Sequence, residues 1–290
     1  MSNTNYAVPD GEAKGGVHSI TIIGGHDKDG LPEDFTLTLE AGGILCVVGP
    51  TGAGKSRFLE DIGCLAQGDT PTGRRLLLDG REPSQEQRYS LDGRLVAQLS
   101  QNMNFIMDLT VEEFILMHAE SRNLASLGED FSGPRLVERI VTAANRLTGE
   151  ALSAGTAVTQ LSGGQSRSLM IADTALLSPS PVVLIDELEN AGVDRRGALE
   201  LLVGEDKIVL VSTHDPVLAL LGQRRICIHR GGVRRIIETS PAERRNAVLM
   251  GELSGKFLAL RDLLREGAVL DFDMETFFLE GISVKERSLS

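Results

Sequence analysis

A glycine-rich segment behind a buried strand constrains this chain more than any other feature. Five apolar residues, Ile44-Leu45-Cys46-Val47-Val48, come first, and they are followed by Gly49-Pro50-Thr51-Gly52-Ala53-Gly54-Lys55-Ser56. The spacing fits G-x-x-x-x-G-K-[ST], in which glycines let the backbone wrap around phosphate oxygens and the next helix adds the positive end of its dipole. We expect Lys55 to contact the β- and γ-phosphates of a nucleotide and Ser56 to ligate Mg²⁺.

A second apolar run ends in two carboxylates. Val182-Val183-Leu184-Ile185 is followed by Asp186 and Glu187. We expect this strand to lie beside the strand at 44–48, so that its end faces the metal ion. Asp186 would hold Mg²⁺ through water, and Glu187 would act as the general base on the attacking water. Glu189 is close enough in sequence to remain an alternative base.

The remaining pattern predicts an α/β core with additions. A third apolar run at 208–211 and helical segments between the runs indicate a parallel sheet, and the alternation at 17–23 and 34–40 indicates two half-buried strands. The block at about 105–160 reads as a helical insertion. Thr110 and Glu113 have the spacing of a capping box before a stretch that ends near Leu127, and Ser132 and Pro134 open a second helix.

The C-terminal part predicts a hairpin and a long helix. The hairpin turns at Gly231-Gly232. Residues 241–266 look helical and carry one apolar stripe, which we expect to pack on the protein's own core, although a partner is the alternative. The members of this stripe are Leu249, Leu253, Phe257, Leu260 and Leu264.

Composition limits the class of function. With 29 Lys and Arg against 41 Asp and Glu, the net charge of −12 argues against a protein that coats nucleic acid. Cys46, Cys64 and Cys227 have no ligand-like spacing and read as small buried residues of a reduced cytoplasmic protein. No apolar run approaches the ~18 residues of a membrane span, and residues 1–16 read as a flexible leader rather than a signal peptide.

A third motif narrows the class. Leu161-Ser162-Gly163-Gly164-Gln165 precedes the acidic strand and opens a helix, with Ser162 suited to its N-cap. With this motif, the glycine-rich loop and the acidic strand end, the sequence resembles the ATP-binding cassette (ABC) ATPases. The resemblance covers roughly residues 17–238. In that family the motif, here called the signature motif, completes the ATP site of a second, head-to-tail subunit. The resemblance implies that Ser162, Gly163, Gly164 and Gln165 bind the γ-phosphate held by that subunit.

The resemblance extends to further positions. Gln101 matches the family's Q-loop, which touches Mg²⁺ and the attacking water, and His214 matches the switch histidine that contacts the γ-phosphate. His26 falls where relatives stack adenine on an aromatic residue. The stretch from Asn102 to Val111 resembles the segment that meets a partner's coupling element.

Two departures from the family pattern stand out. The D-loop, residues 188–194, is one residue longer than usual and lacks the usual proline, and Asp173 replaces a frequent arginine.

The expected architecture is therefore α/β, a P-loop NTPase (ABC ATPase) core with an antiparallel β subdomain and an inserted helical subdomain. The ATPase domain would span 17–240 and a C-terminal helical extension 241–290. Two subunits, identical or different, would close head to tail around two Mg·ATP and drive a conformational cycle in a partner. That partner would be a separate membrane permease, which would hold the chain at the cytoplasmic face, or else a cytoplasmic complex that a soluble ABC ATPase remodels or activates, as in metallocofactor assembly. A third possibility, a DNA-repair ATPase of the ABC type, is disfavoured because no long coiled-coil arm interrupts the chain, and no nucleic-acid partner is expected.

Overall fold

The computed structural model describes residues 17–89, 95–100, 105–122, 133–188 and 192–279. The strands and helices of these residues follow in the order β1 Ser19–Ile23, β2 Thr36–Glu40, β3 Ile44–Val48, α1 Lys55–Gly63, β4 Arg75–Leu78, α2 Gln85–Tyr89, β5 Val96–Leu99, α3 Val111–Ser121, α4 Gly133–Leu147, α5 Gly163–Leu176, β6 Val182–Asp186, α6 Arg195–Gly204, β7 Ile208–Ser212, α7 Pro216–Leu221, β8 Arg224–His229, β9 Gly232–Glu238, α8 Pro241–Arg265 and α9 Met274–Leu279. The leader at 1–16 and the chain's last eleven residues lie outside the described residues.

The larger sheet has the strand order β5-β6-β7-β3-β8-β9. Neighbouring strands are parallel except for β9, which runs antiparallel to β8. Strands β3, β6 and β7 are buried almost throughout, which explains their continuous apolar sequences, because a parallel strand covered on both faces has no side turned to solvent. The expectation that β6 lies beside β3 is wrong, because β7 lies between them. The strand at 208–212 is therefore the direct neighbour of both.

The smaller sheet is antiparallel, with the order β2-β1-β4. The alternation in β1 and β2 buries one face, including Ile20, Ile22 and Leu37, in a cluster shared with α1 and the larger sheet. Helix α1 contributes Phe58 and Ile62 to this cluster. The helix that begins at the glycine-rich loop is thus packed between two sheets, which fixes its N-terminus.

Helices α3 and α4 form the predicted insertion and pack on α5. The Thr110–Glu113 capping box is present, and the α4 face with Leu136 and Ile140 is buried in a cluster with Leu169 of α5. Helix α3 ends at Ser121, before the expected end near Leu127, and Leu127 and Ser132 lie outside the described residues.

The C-terminal region differs from expectation in two places. The hairpin turns one residue earlier, at Arg230 (φ 52°) and Gly231 (φ 82°), and Gly232 already belongs to β9. Helix α8 forms as predicted, but its stripe does not pack on the core: of its five members Leu260 is buried, while Leu249, Leu253, Phe257 and Leu264 are exposed. The helical periodicity of apolar residues identifies the apolar face of a helix, but it does not show what packs against that face. None of the described helices is both long and apolar enough to cross a membrane.

Candidate active site

The glycine-rich loop joins β3 to α1 through a tightly packed turn. Gly52 (φ 75°) and Gly54 (φ 108°) have left-handed backbone conformations. An added Cβ at Gly54 would lie 2.9 Å from the Cα atom of Gly231, and one at Gly49 would lie 2.4 Å from the carbonyl oxygen of Ile228. The loop can therefore follow this course against the β8–β9 hairpin only with glycine at these positions.

The N-terminus of α1 is arranged to receive an anion. Gly54 is the N-cap residue and makes no side-chain capping bond to the N–H groups of the first turn. These groups carry the positive end of the helix dipole. Ser56 is exposed at the same end, so its hydroxyl is accessible. The residues present thus fit the phosphates of a nucleotide.

Three side chains from different elements meet beside this loop. Lys55 is buried, with 7% of its surface exposed, and its ammonium donates to the carbonyl oxygens of Gly49 (3.0 Å) and Pro50 (3.3 Å). Its Nζ lies 3.0 Å from Nε2 of His214, which follows β7. The same imidazole nitrogen lies 3.8 Å from Oε1 of Glu187, which follows β6. The structure therefore brings together three of the predicted site residues, from the ends of different elements.

The backbone at Glu187 has an unusual conformation. Its φ angle of 53° lies in the left-handed region, which residues other than glycine rarely adopt. Its N–H donates to the carbonyl oxygen of Ser212 (3.1 Å), and Asp186 pairs with Ser212 across the β6–β7 ladder. Ser212 at the end of β7 thus fixes the backbone of Asp186 and Glu187 at the end of β6. Such strain is often found at functional sites.

A buried charge cluster fixes the elements around the loop. Arg74 is fully buried, and its guanidinium donates to Glu33 (2.7 and 2.8 Å), to Asp61 of α1 (2.9 Å) and to the carbonyl oxygen of Gly231 (2.7 Å). Burial raises the pKa of Glu33, but hydrogen bonds from Arg74 and from the N–H groups of Val233 and Gly25 together lower that pKa by more. The net shift of the pKa is therefore downward. A buried arginine needs such acceptors, because an unpaired buried charge is very costly. The cluster therefore joins the antiparallel sheet, α1 and the hairpin.

The signature motif is stabilised within its own helix. Ser162 is the N-cap of α5, and Ser162 and Gln165 form a reciprocal capping box. The Gln165 amide also donates to the carbonyl oxygens of Glu150 and Ala151. An added Cβ at Gly163 would meet no atom of this chain within 4 Å. The motif is therefore bonded to its own surroundings rather than to the glycine-rich loop of the same chain.

The loop before β2 reaches the glycine-rich loop. The N–H of His26 donates to the carbonyl oxygen of Thr72 (2.7 Å), and the exposed imidazole lies against Gly73. Two residues later, Lys28 Nζ lies 3.4 Å from the carbonyl oxygen of Gly52. Sequence reasoning missed Lys28, although a basic residue two positions after His26 was a signal available to it.

Gln101 and Glu189 lie outside the described residues, as does much of the D-loop. At its end, Asp194 is the N-cap of α6 and accepts from the N–H groups of Arg196 and Gly197. Of the two candidate bases, Glu187 is the one whose position the structure describes.

The aspartate at position 173 has a structural explanation that the sequence did not provide. Its carboxylate accepts from His118 Nδ1 of α3 (2.9 Å) and lies 3.7 Å from Arg122. An arginine at this position would face two other basic groups. Asp173 therefore attaches the helical insertion to the signature helix α5.

The glycine-rich loop follows the carboxyl end of the buried parallel strand β3. Glu187 and His214 follow the carboxyl ends of β6 and β7. This arrangement defines a P-loop nucleoside triphosphatase. The chain belongs to the ABC transporter family, whose model matches residues 32–190, and it is an ATPase of this family.

Comparison with known proteins gives both close and distant relatives. The chain is 50% identical over 266 residues to the "uncharacterized ABC transporter ATP-binding protein MJ0121" of Methanocaldococcus jannaschii, with 91% of this chain and 99% of that protein aligned. It is 30% identical over 227 residues to the macrolide export ATP-binding/permease protein MacB of Salmonella typhimurium, with 76% of this chain aligned but only 33% of MacB.

Solved structures share the fold. The dimeric structure of MJ0796, a bacterial ABC transporter cassette, has a TM-score of 0.56 and 24% identity over 76% of this chain and 99% of that one. The ATP-binding subunit of an ABC transporter has a TM-score of 0.57 and 19% identity over 79% of this chain and 92% of that one. The expected architecture, a P-loop core with an antiparallel β part and inserted helices, is confirmed.

Proposed function

We propose that this chain hydrolyses ATP as one half of a head-to-tail pair and that the opening and closing of the pair drives a separate membrane permease. One observation supports the pairing of two chains: within one chain, the signature motif is bonded to its own surroundings and not to the glycine-rich loop. The signature motif is bonded to α5 and the 150–151 segment, and its Gly163 faces open space. A second subunit would bring that surface onto the nucleotide, and the structure of MJ0796 is itself described as dimeric.

The chemistry follows from the residues that converge on the loop. Lys55 and the N–H groups of residues 51–56 bind the phosphates, and Glu187 accepts a proton from the attacking water. His214 lies between Lys55 and Glu187, which supports a contact of its imidazole with the γ-phosphate. Ser56, Asp186 and Gln101 are the proposed ligands of Mg²⁺, which would neutralise charge on the β- and γ-phosphates.

Nucleotide contacts complete the site. The exposed His26 imidazole offers a face on which adenine could stack, although less well than a larger aromatic ring would. Ser162, Gly163, Gly164 and Gln165 would bind the γ-phosphate held by the second subunit. Loss of that phosphate on hydrolysis removes the contacts that hold the pair closed, so the pair reopens.

An exposed apolar residue before α3 supports the proposal of a protein partner. Ile106, just before α3, is 93% exposed, which is the largest value among the exposed large hydrophobic residues of the described part of the chain. Phe105, beside it, packs edge-on against Phe114 of α3 at 4.9 Å. A partner that contacts Ile106 would therefore act directly on α3, which Asp173 links to the signature helix.

MacB is named as an ATP-binding/permease protein, and this chain aligns with about a third of the length of MacB. That relationship favours a permease as the partner over a cytoplasmic complex. The test is fractionation of native cells followed by affinity purification of the tagged full chain. Sedimentation with membranes and recovery of a polytopic protein are expected. Recovery from the cytosol with a non-membrane complex would favour the remodelling ATPase instead.

A matched pair of variants tests the contact surface. Ile106→Asp should release the partner while leaving basal ATP hydrolysis unchanged, since Ile106 is outside the nucleotide site. Val269→Asp changes another highly exposed aliphatic residue (79%) elsewhere and should retain the partner. Retention of the partner by Ile106→Asp would contradict the assignment of this surface.

A further inference from the structure

A buried arginine on the signature helix connects two strand ends of the active site. Arg167 lies in α5, five residues after the N-cap Ser162, and only 5% of it is exposed. Its Nη1 donates to the carbonyl oxygen of Glu187 (3.3 Å) and its Nη2 donates to that of Ser100 (3.3 Å). Glu187 follows β6 and Ser100 follows β5, and these two strands are neighbours in the sheet.

The chemistry of the contact indicates a role beyond packing. A guanidinium is costly to bury, and an apolar side chain would fill the space without that cost. What the guanidinium supplies is a rigid fork of donors that can hold two acceptors at a fixed separation. Here the two acceptors belong to Glu187 itself and to the residue before Gln101.

The contact also acts on a strained peptide. Glu187 has a left-handed backbone conformation, and its N–H is held by the carbonyl oxygen of Ser212. Arg167 holds the carbonyl group on the other side of the same residue. The direction of the Glu187 side chain depends on both bonds, because rotation of either adjoining peptide would turn it.

We propose that Arg167 is a positioning residue that holds Glu187 of its own chain and thereby couples that carboxylate to the signature motif. The inference rests on the proposed function, in which the N-terminus of α5 contacts the nucleotide of the facing subunit. Ser162 and Arg167 belong to one continuous capped helix. A shift of α5 on engagement of the signature motif is therefore transmitted to Glu187. Each subunit senses nucleotide in the facing pocket and adjusts the base in its own.

The first test separates chemistry from binding. In the full chain, Arg167→Gln should lower kcat by about 10- to 100-fold, the effect of a misplaced reacting group, while the Kd for a fluorescent ATP analogue changes less than about twofold. Arg167→Lys retains the charge but not the fork, and should fall between Arg167→Gln and the wild type. Arg139→Gln, which removes an exposed arginine paired with Glu205 (3.3 Å), is the matched control and should leave both constants unchanged. An unchanged kcat for folded Arg167→Gln would overturn the inference.

The second test asks which pocket is affected. Two differently tagged subunits are purified as mixed pairs in which one subunit carries Glu187→Gln, so that only the other subunit's base works. Single-turnover ATP hydrolysis is then measured with Arg167→Gln placed in either subunit. The inference predicts a drop of about tenfold or more when Arg167→Gln is in the chain with the intact Glu187, and a change below about twofold when it is in the other chain. The reverse pattern would mean that Arg167 acts through the signature motif alone, which overturns the inference.

The two failures are distinguishable. If no mixed pair forms with ATP, the proposed pair is wrong, and the kcat of uniform Arg167→Gln protein still decides whether Arg167 positions Glu187. If pairs form and that kcat is unchanged, the proposed function stands and the positioning role is wrong.

Discussion

The Nζ atom of Lys55 lies 3.0 Å from Nε2 of His214. Because an ammonium group can only donate, a hydrogen bond here requires that Nε2 accept, which places the imidazole proton on Nδ1. Glu187 lies 3.8 Å from the same nitrogen. Lys55 and His214, the residues proposed to contact the phosphates, therefore form one chain of contacts with Glu187, the proposed base, and a change at one of them should affect the others.

Lys55→Ala should abolish ATP binding. It removes the buried charge proposed to face the β- and γ-phosphates, and we expect at least a 100-fold rise in the Kd for ATP, about 3 kcal/mol. Equilibrium binding of a fluorescent ATP analogue measures this. Lys256→Ala is the control, since Lys256 donates to the carbonyl oxygen of Phe278 near the C-terminus. Normal affinity in Lys55→Ala would refute the assignment of the phosphate-binding loop.

Gly163→Asp should abolish most of the ATPase activity while leaving the stability of the fold unchanged. An added Cβ at this position meets no atom of its own chain within 4 Å, so the melting temperature should hardly change. In the pair, the carboxylate would face the γ-phosphate of the other subunit, and like charges in contact cost several kcal/mol, so ATPase activity should fall by at least about 100-fold. Gly251→Asp in α8, where an added Cβ is equally unobstructed, should remain active. Full activity in Gly163→Asp would contradict the shared pocket.

The N-terminus of α8 should weaken in acid. A hydrogen bond from Arg225, together with that from the N–H of Ser240, lowers the pKa of Glu243 from 4.5 to about 2. Because the folded pKa is depressed, the stabilisation is complete above about pH 4.5 and is lost as the pH falls towards 2. The difference in melting temperature between the wild type and Glu243→Gln should therefore shrink from pH 6 to pH 3.

Glu252→Gln, in the same helix but outside the capping box, controls for the loss of one surface charge. A difference between the wild type and Glu243→Gln that does not change with pH would contradict the assignment of Glu243.

The three cysteines should react with thiol reagents at different rates. Burial raises the pKa of Cys46 to about 12, and its thiol donates to the carbonyl oxygen of Leu218. Cys64, expected from the sequence to be buried, is instead exposed at the end of α1. With Ellman's reagent at pH 8, Cys64 should react first because it is exposed, even though partial burial and the nearby Asp61 raise its pKa, and Cys46 should react only on unfolding. Cys64→Ser should remove the fast phase and Cys46→Ser should not; loss of the fast phase in Cys46→Ser would contradict the burial of Cys46.

Sequence reasoning placed the local features well. The G-x-x-x-x-G-K-S loop, the strand ending at Asp186 and the Ser162 cap lie where their patterns predicted, because each depends on residues close together in the chain. Strand order could not be read in the same way: β7 lies between β3 and β6 although it follows both in sequence.

Contacts between distant segments were the main omission. Arg167 meets the carbonyl oxygens of Ser100 and Glu187, and Asp173 meets His118, only after the helices have packed. The exposure of Leu249 and its neighbours on α8 was also unpredictable, since periodicity identifies an apolar face but not its partner. The assignment of Gln101 and Glu189 remains a prediction from sequence.

The most direct measurement is the mass of the Glu187→Gln protein in solution, by light scattering during size-exclusion chromatography with and without ATP. Glu187→Gln should retain ATP binding, stop turnover and accumulate as a pair, so the mass should rise with ATP to twice the 31.2 kDa of one chain. Glu200→Gln, which changes an exposed glutamate paired with Arg196, should hydrolyse ATP and accumulate no pair. A Glu187→Gln protein that binds ATP at the mass of a single chain, with no second cassette subunit recovered from the native cell, would contradict the central claim that two chains share each ATP.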